Sequence, residues 1–253
     1  MVYTYSIQGK DKFKEAVKIS KEEGLKSLFI KLFLYFIYPQ LRYALMMFSS
    51  IIIFFKPKRF FYFQGKKLFY FYHRYNTTWN NERVIEVPII TNYIKSFFKK
   101  RILEVGAVLT HYYSPKWDIL DKFEKGKKII NKDIINFKPI KKYDLIISIS
   151  TLEHVGFDEE IKDSKKIIKA IKNLKQNCLA PKGKCIITMP IGYNLETDKL
   201  LFANKLGFKE KIFLKRINKK NEWVEVPEEV AKSTTYNKPF NAANSIVIGI
   251  IKK

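Results

Sequence analysis

Cysteine and glycine are both scarce in this sequence, and each shortage excludes a class of site. The chain has two cysteines, Cys178 and Cys185, whose spacing fits neither a metal-binding nor a redox motif. A disulfide framework is therefore excluded, and we expect a reduced, cytoplasmic protein without a metal site. The ten glycines include no G-x-G-x-x-G stretch, so the phosphate cradle of dinucleotide-binding proteins is absent.

Long apolar runs are also lacking. Residues 28–55 are strongly apolar, but Pro39, Gln40 and Arg42 divide them into pieces shorter than the roughly 20 residues that a spanning helix needs. Besides a true span, two interpretations stay open: helices packed on a core, or an in-plane membrane helix whose basic face meets anionic headgroups.

Acidic residues are few compared with basic ones. The chain has 48 Lys and Arg against 24 Asp and Glu, a formal charge of +24, which favours anionic partners. Thermophilic or AT-biased coding would give a similar composition. The basic residues are scattered and form no nucleic-acid-binding arm, so we expect no nucleic acid as a partner. The candidate partner is an anionic membrane surface, reached through residues 28–58.

The chain divides into two sections of different pattern. Residues 11–27 predict an exposed amphipathic helix, and aromatic runs within 59–79 flank a Gln-Gly-Lys-Lys connector that predicts a β-hairpin. Strand-like runs then alternate with helical patterns, which is typical of βαβ units and a parallel sheet. We expect a helical and hairpin extension over residues 1–85 and an α/β domain over residues 86–253.

The elements of the α/β section can be placed from their apolar spacing. A helix is predicted within 79–100. Strands are predicted at 102–106, 117–120, 127–130, 143–150, 184–190, 209–216 and 245–253, and further helices at 158–179 and 197–206. Gly207 is expected to close the last helix, and a polar stretch holding Trp223 joins the last two strands.

Five blocks of the α/β section occur in the order of a known family. They are ILEVG at 102–106, Asp121 after the second strand, NKDI at 131–134, YDLIISISTLEHVG at 143–156 and LAPKGKCIITMP at 179–190. On these blocks the chain resembles the class I S-adenosylmethionine-dependent methyltransferases. The resemblance implies a Rossmann-like three-layer α/β sandwich with a mostly parallel seven-stranded sheet, and S-adenosylmethionine as the cofactor.

The same resemblance implies a cofactor site at the carboxyl ends of the strands. A carboxylate there can accept both ribose hydroxyls, which is the role expected of Asp121, with Glu124 as its substitute. One glycine, Gly106, permits close backbone approach to a cofactor that carries no pyrophosphate. The other cofactor-contacting residues that the resemblance implies are Glu104, Asp133 near the adenine, Ser150, Thr151 and Leu152.

Histidine is scarce, with only His73, His111 and His154. His111 and His154 follow predicted strands, where catalytic side chains gather, and a neutral imidazole can take a proton from a hydroxyl during methyl transfer. We predict His154 as the first candidate general base and His111 as the second, with Glu153 either orienting His154 or contacting the cofactor. Alignment and exclusion of water could also carry the reaction without a base.

A polar and aromatic cluster precedes the first predicted strand of the α/β section. A capped helix start would produce this cluster, and so would a wall of an acceptor pocket. The residues predicted to contact the acceptor are Tyr75, Asn76, Trp79, Glu82, Arg83 and, after the fifth strand, Tyr193. The function expected is O-methylation of a small-molecule, glycan or lipid-linked acceptor. The alternative is a catalytically silent scaffold of the same fold, associated with a membrane.

Overall fold

The computed structural model describes residues 48–49, 51, 53–126 and 128–253. The helix predicted for residues 11–27 and most of the apolar segment 28–55 lie outside this part of the chain. Within it, no helix is long and apolar enough to cross a membrane. The membrane surface expected as a partner of residues 28–58 stays a prediction.

The chain forms two compact units. The first consists of residues 1–56 with Arg74–Thr77, and the second of Pro57–His73 with Thr78–Lys253. In the first unit the described residues from Phe48 to Phe54 are helical. The expected boundary near residue 85 stays a prediction.

An eight-stranded sheet organises the second unit. Its order is β5-β4-β3-β6-β7-β10-β8-β9, and a separate hairpin holds β1 and β2. The strands are β1 (Phe60–Phe63), β2 (Lys66–Phe69), β3 (Ile102–Val105), β4 (Asp118–Leu120), β5 (Ile129–Ile130), β6 (Tyr143–Ile149), β7 (Leu179–Pro190), β8 (Glu210–Arg216), β9 (Trp223–Val226) and β10 (Ser245–Lys252). Strands β5, β4, β3, β6 and β7 pair in parallel, whereas β10 is antiparallel to both β7 and β8.

Helices cover both faces of this sheet. The helices are α1 (Arg83–Ser96), α2 (Lys166–Asn173), α3 (Leu195–Phe202) and α4 (Glu228–Lys232). Alternate residues of each strand enter different core layers, as successive side chains of a strand point to opposite faces. In β10, Ile246 and Ile248 join the layer under α1 and the hairpin, whereas Val247 joins the layer under the other three helices. The result is a three-layer sandwich.

The predicted hairpin and strands are confirmed within one or two residues at most ends, with two corrections to the sheet. β4 and β5 are shorter than predicted. The sheet has eight strands rather than seven, because Trp223–Val226 in the polar stretch pairs with β8. Trp223 is buried there and anchors the strand, whereas Val224 and Glu225 are exposed.

The helices predicted at 158–179 and 197–206 were too long. The first begins only at Lys166, because the preceding turn is held by its own contacts, among them Asp163 N donating to Gly156 O at 2.9 Å. Ile161, inside the range predicted as helical, is 84% exposed. The second helix ends at Phe202, so Gly207 does not close it.

A tight contact in the centre of the sheet gives a stability test. A Cβ added to Gly249 of β10 would lie 2.5 Å from the ring of Phe208. We expect Gly249→Ala to lower the free energy of unfolding by about 1–3 kcal/mol, because the ring must move within a packed core. Chemical denaturation measures this. The penalty should shrink in a Phe208→Leu background, and an equal penalty in both backgrounds would contradict the ring contact as its cause.

Candidate functional site at the carboxyl edge of the sheet

Four loops meet where parallel strands end. They follow β4, β3, β6 and β7, which are neighbours in the sheet. The direction in which successive strands are added to the sheet changes between β3 and β6, since β4 and β5 lie on one side of β3 and β6 and β7 on the other. Ligands of open α/β sheets bind outside the carboxyl ends of the strands at such a switch point. The fold therefore brings together most of the residues that the sequence singled out.

The loop after β3 is held by a carboxylate of the neighbouring strand. Asp121, at the end of β4, accepts the N–H of Ala107 at 3.1 Å, and it accepts the N–H groups of Phe123 and Glu124 at 2.8 Å each. Asp121 is 7% exposed. An ionised carboxylate offers about four acceptor positions, so one remains for a ligand hydroxyl.

Glycine is required at position 106 by the backbone conformation and by the closeness of Thr151. Its φ is +86°, and a Cβ there would lie 2.2 Å from Oγ1 of Thr151, in the loop after β6. The close approach that this glycine permits is thus to Thr151 of the same chain. Two residues on, Val108 is buried in the core.

Glu104 lies beneath the same loop. It is fully buried, and its two oxygens accept from Leu109 N at 2.7 Å and from Trp117 Nε1 at 2.9 Å. Burial raises the pKa of Glu104 to about 7, and these two hydrogen bonds oppose the increase. Because both oxygens face the loop, the geometry suits positioning of the loop rather than contact with a cofactor.

Asp133 belongs to an ion-pair cluster that joins the loops after β4 and β5 to the start of α2. Its Oδ2 lies 2.9 Å from Lys166 Nζ and 3.1 Å from Lys122 Nζ, and both lysines also pair with Glu159. Burial alone would raise the pKa of Asp133, but hydrogen bonds from Lys166, Ile135 and Lys122 lower it. The predicted contact between Asp133 and the adenine stays a prediction.

His111, the second candidate base, ends the short 3₁₀ helix Leu109–His111 after β3. Its Nε2 lies 4.0 Å from Oε1 of Glu124, in the loop after β4. Burial lowers the pKa of His111, against the opposing effect of Glu124. His111 therefore lies on the β4 side of the switch point, among the residues predicted to hold the cofactor.

A buried network fixes the turn that follows β6. Glu86 of α1 accepts the hydroxyls of Ser150 and Thr188 at 2.6 Å each, and its other oxygen pairs with Arg83. Ser150 has φ +35°, an unfavourable conformation for a side chain other than glycine. The hydrogen bond to Glu86 thus secures a strained residue at the entrance to the turn that carries His154.

His154 lies between two carboxyl groups. Its Nδ1 contacts Asp158 Oδ2, and its Nε2 lies 3.7 Å from Glu153 Oε1. The hydroxyl of Tyr193, after β7, donates to the same Asp158 oxygen at 3.0 Å. Burial lowers the pKa of His154, and Asp158 opposes this decrease.

The Asp158 contact fixes the tautomer of His154. A carboxylate can only accept, so Nδ1 carries the proton and the lone pair is on Nε2. A neutral imidazole in this arrangement can take a proton at Nε2, and Asp158 then stabilises the imidazolium that forms.

The other predicted acceptor contacts have varied positions. Arg83 and Glu82 are buried, Arg83 against Glu86, and Glu82 as the acceptor of Ala243 N at 3.2 Å. Trp79 is half-buried, in the 3₁₀ segment before α1, and its carbonyl accepts from Asn221 at 3.1 Å. Tyr75 and Asn76 belong to the first unit, where Asn76 has φ +54°.

The cofactor contacts predicted after β6 also differ in position. Leu152 is fully buried in the core, and Thr151 Oγ1 donates to Ile149 O at 2.9 Å. Sequence reasoning missed Asp158, Glu86 and Thr188 as parts of this site. The spacing of Asp158 four residues after His154 was a usable signal, whereas nothing in the sequence pairs Glu86 with Thr188.

Comparison with known proteins gives similarity in fold only. No protein-family model and no curated protein matches the chain. The solved structures that align with it include a methyltransferase from Archaeoglobus fulgidus described as SAM-dependent (17% identity, 71% of this chain and 98% of that chain, TM-score 0.43). They also include the N-methyltransferase NodS of Bradyrhizobium japonicum in complex with S-adenosyl-L-homocysteine (12% identity, 68% and 93%, TM-score 0.40).

The strand order β5-β4-β3-β6-β7 is the doubly wound order of Rossmann-like sheets. The predicted Rossmann-like three-layer sandwich is confirmed. Within this sheet, β10 inserts antiparallel between β7 and β8. The described residues include no group of three or more His, Cys, Asp or Glu side chains that could hold a metal ion.

The Glu86 network makes a strong prediction for stability. Glu86→Gln should lower the free energy of unfolding by about 3–5 kcal/mol, because it leaves the guanidinium of Arg83 buried without its carboxylate. Arg83 is 4% exposed. Chemical denaturation followed by circular dichroism measures the change.

The matched control is Glu196→Gln, which removes an acid from the exposed pair with Lys199, whose side chains are 54% and 72% exposed respectively. That change should alter stability by no more than about 0.5 kcal/mol. Similar stabilities of the two variants would show that the buried pair does not hold the turn after β6.

Proposed function

We propose that this chain is an S-adenosylmethionine-dependent methyltransferase that acts on a hydroxyl group, with His154 as the general base. The observation that carries the proposal is the contact between Asp158 and His154 in the loop after β6. In the sheet, β6 is the neighbour of β3, which Gly106 follows, and β3 is the neighbour of β4, which Asp121 follows. The five ordered sequence blocks and the fold support the cofactor. The acceptor class, a small molecule, a glycan or a lipid-linked precursor, rests on the polar and aromatic surroundings of the site.

The cofactor would lie over the ends of β3 and β4. Asp121 has one acceptor position left for the ribose, and the backbone of the Gly106 loop is held at a fixed distance from it by the Ala107 N–H. The cofactor supplies a methyl group that is already activated by the sulfonium. The protein then has to align an acceptor oxygen, exclude water and receive one proton.

His154 suits the last of these tasks. Burial keeps its imidazole neutral near neutral pH, and the Asp158 carboxylate stabilises the positive charge that develops when Nε2 takes the acceptor proton. The hydroxyl of Tyr193 donates to the same Asp158 oxygen and helps to hold that carboxylate in place. Hydroxyl acceptors need such a base more than amines or acids do, which is why the dyad favours oxygen as the methylated atom.

A silent scaffold is the second candidate function. It is favoured by Thr151, which packs directly against Gly106 where a cofactor would approach the backbone. Binding of S-adenosylmethionine separates the two candidates.

The cofactor assignment can be tested by calorimetry. We expect the protein to bind S-adenosylmethionine and S-adenosylhomocysteine at a ratio of about one per chain, and Asp121→Ala to weaken both by tenfold or more. The control is Asp118→Asn, an acid of the same strand whose Oδ2 accepts from Arg101 and from Tyr143 at the opposite end. Absence of binding by the folded parent protein would favour the scaffold.

The protonation state of His154 can be tested without an acceptor. In an NMR titration of the imidazole resonances, His154 should titrate below the ordinary histidine value of 6.5, because burial lowers its pKa. Asp158→Asn should lower that pKa further, since the carboxylate favours the charged form. Activity that depends on neutral His154 would accordingly be lost only as pH falls below this pKa.

Resonances are assigned by His154→Gln, with His73→Gln as the control, because the ring of His73 stacks on Phe71, away from the Asp158 pair. A pKa of His154 well above 6.5 would contradict its role as a base that is neutral and ready at neutral pH.

A further inference from the structure

Glu153 is a buried carboxyl that the proposed mechanism leaves unused. It is 1% exposed, and neither of its oxygens has a hydrogen-bond partner among the described residues. Burial raises the pKa of Glu153 well above that of an ordinary glutamate. A buried polar group without partners is costly, so each such group in a native structure calls for an explanation.

The surroundings of Glu153 are rich in carboxyl groups. Glu82 and Glu86 act on it electrostatically from α1, and Arg83 is the cation that acts on it. Asp158 lies on the other side of the His154 ring. The chain has a formal charge of +24, so a local excess of carboxyl groups around one guanidinium contrasts with the rest of the protein. This excess indicates a binding site for a positively charged group of a ligand.

Two tyrosines lie close to Glu153. The rings of Tyr193 and Tyr236 meet edge to face with centroids 5.2 Å apart, and Glu153 acts electrostatically on both hydroxyls. Aromatic faces attract cations and bury the carbon atoms next to them. Together with the carboxyl group they provide both parts of an ammonium-binding site.

The position of Glu153 relative to the base sets the spacing of the ligand groups. Its Oε1 lies 3.7 Å from Nε2 of His154. A hydroxyl at hydrogen-bond distance from Nε2, about 2.8 Å, leaves an ammonium on the adjacent carbon within reach of Oε1. We propose that the acceptor is a vicinal amino alcohol, whose ammonium group binds Glu153 while the neighbouring hydroxyl is methylated.

This inference rests on the proposed function and adds the acceptor class to it. In the reaction, the hydroxyl O–H bond breaks and its proton goes to Nε2 of His154. The oxygen forms a bond to the methyl carbon, the carbon–sulfur bond breaks, and its electron pair stays on sulfur as a neutral thioether. Glu153 binds the ammonium throughout and exchanges no methyl group.

The test compares two rigid compounds of the same shape by saturation-transfer NMR at pH 7, without cofactor. The probes are trans-2-aminocyclohexanol and trans-cyclohexane-1,2-diol. The full chain should bind the amino alcohol at least about tenfold more tightly, because its ammonium makes a charge-assisted hydrogen bond to Glu153 that the diol cannot make. Equal binding of both compounds, or no binding of the amino alcohol, overturns the inference.

Glu153→Gln should remove the preference, and Glu196→Gln, a change of an exposed acid, should keep it. Gln has the same shape and removes no hydrogen bond, so thermal unfolding should be unchanged or improved. A preference that persists in Glu153→Gln would also overturn the assignment. The parent protein's comparison of the two probes stands whether or not this variant folds.

The calorimetric test of cofactor binding keeps the two proposals separable. A chain that binds S-adenosylmethionine but shows no preference for the amino alcohol retains the proposed function and loses this acceptor. A chain that prefers the amino alcohol but binds no cofactor keeps the ammonium site and loses the methyltransferase proposal.

Discussion

The carboxylate of Glu86 is the contact on which the site depends. From α1 it reaches through the core layer to the ends of two strands, where Ser150 and Thr188 donate to one oxygen and Arg83 pairs with the other. A buried carboxylate is tolerated only when its oxygens are satisfied. Helix α1, the end of β6 and the end of β7 are therefore fixed to one another by a single group.

This constraint explains how the turn after β6 can carry reactive side chains. The strained φ of Ser150 directs the chain into the short 3₁₀ helix Leu152–His154, which places Glu153 in the interior and His154 against Asp158. Strain of this kind persists when the surroundings over-determine it, and it is common at functional sites. The loop after β3 is fixed by a comparable device, since Glu104 and Asp121 hold its N–H groups.

The chain as a whole carries a positive charge, whereas carboxyl groups predominate at this edge of the sheet. The carboxyl groups of Glu82, Glu86, Glu153 and Asp158 gather there around Arg83 and a neutral histidine. A basic exterior favours anionic surroundings, and an acidic interior favours a cationic group on the ligand. An acceptor that carries an ammonium group and is presented on an anionic surface would satisfy both.

The sequence alone determined seven of the eight strands of the sheet and their order along the chain, because runs such as YDLIISIS and SIVIGII are too apolar to be stable anywhere but in a buried sheet. It missed the strand Trp223–Val226. It also led to predicted roles for Gly106, Asp121, His154 and Tyr193, all of which lie in the loops at the carboxyl edge of the sheet. Only the tertiary structure decided that Arg83 pairs inward with Glu86 and that Asp158 leaves the expected helix to hold His154. Such pairings join residues from separate elements, so they depend on packing distances that no local pattern encodes.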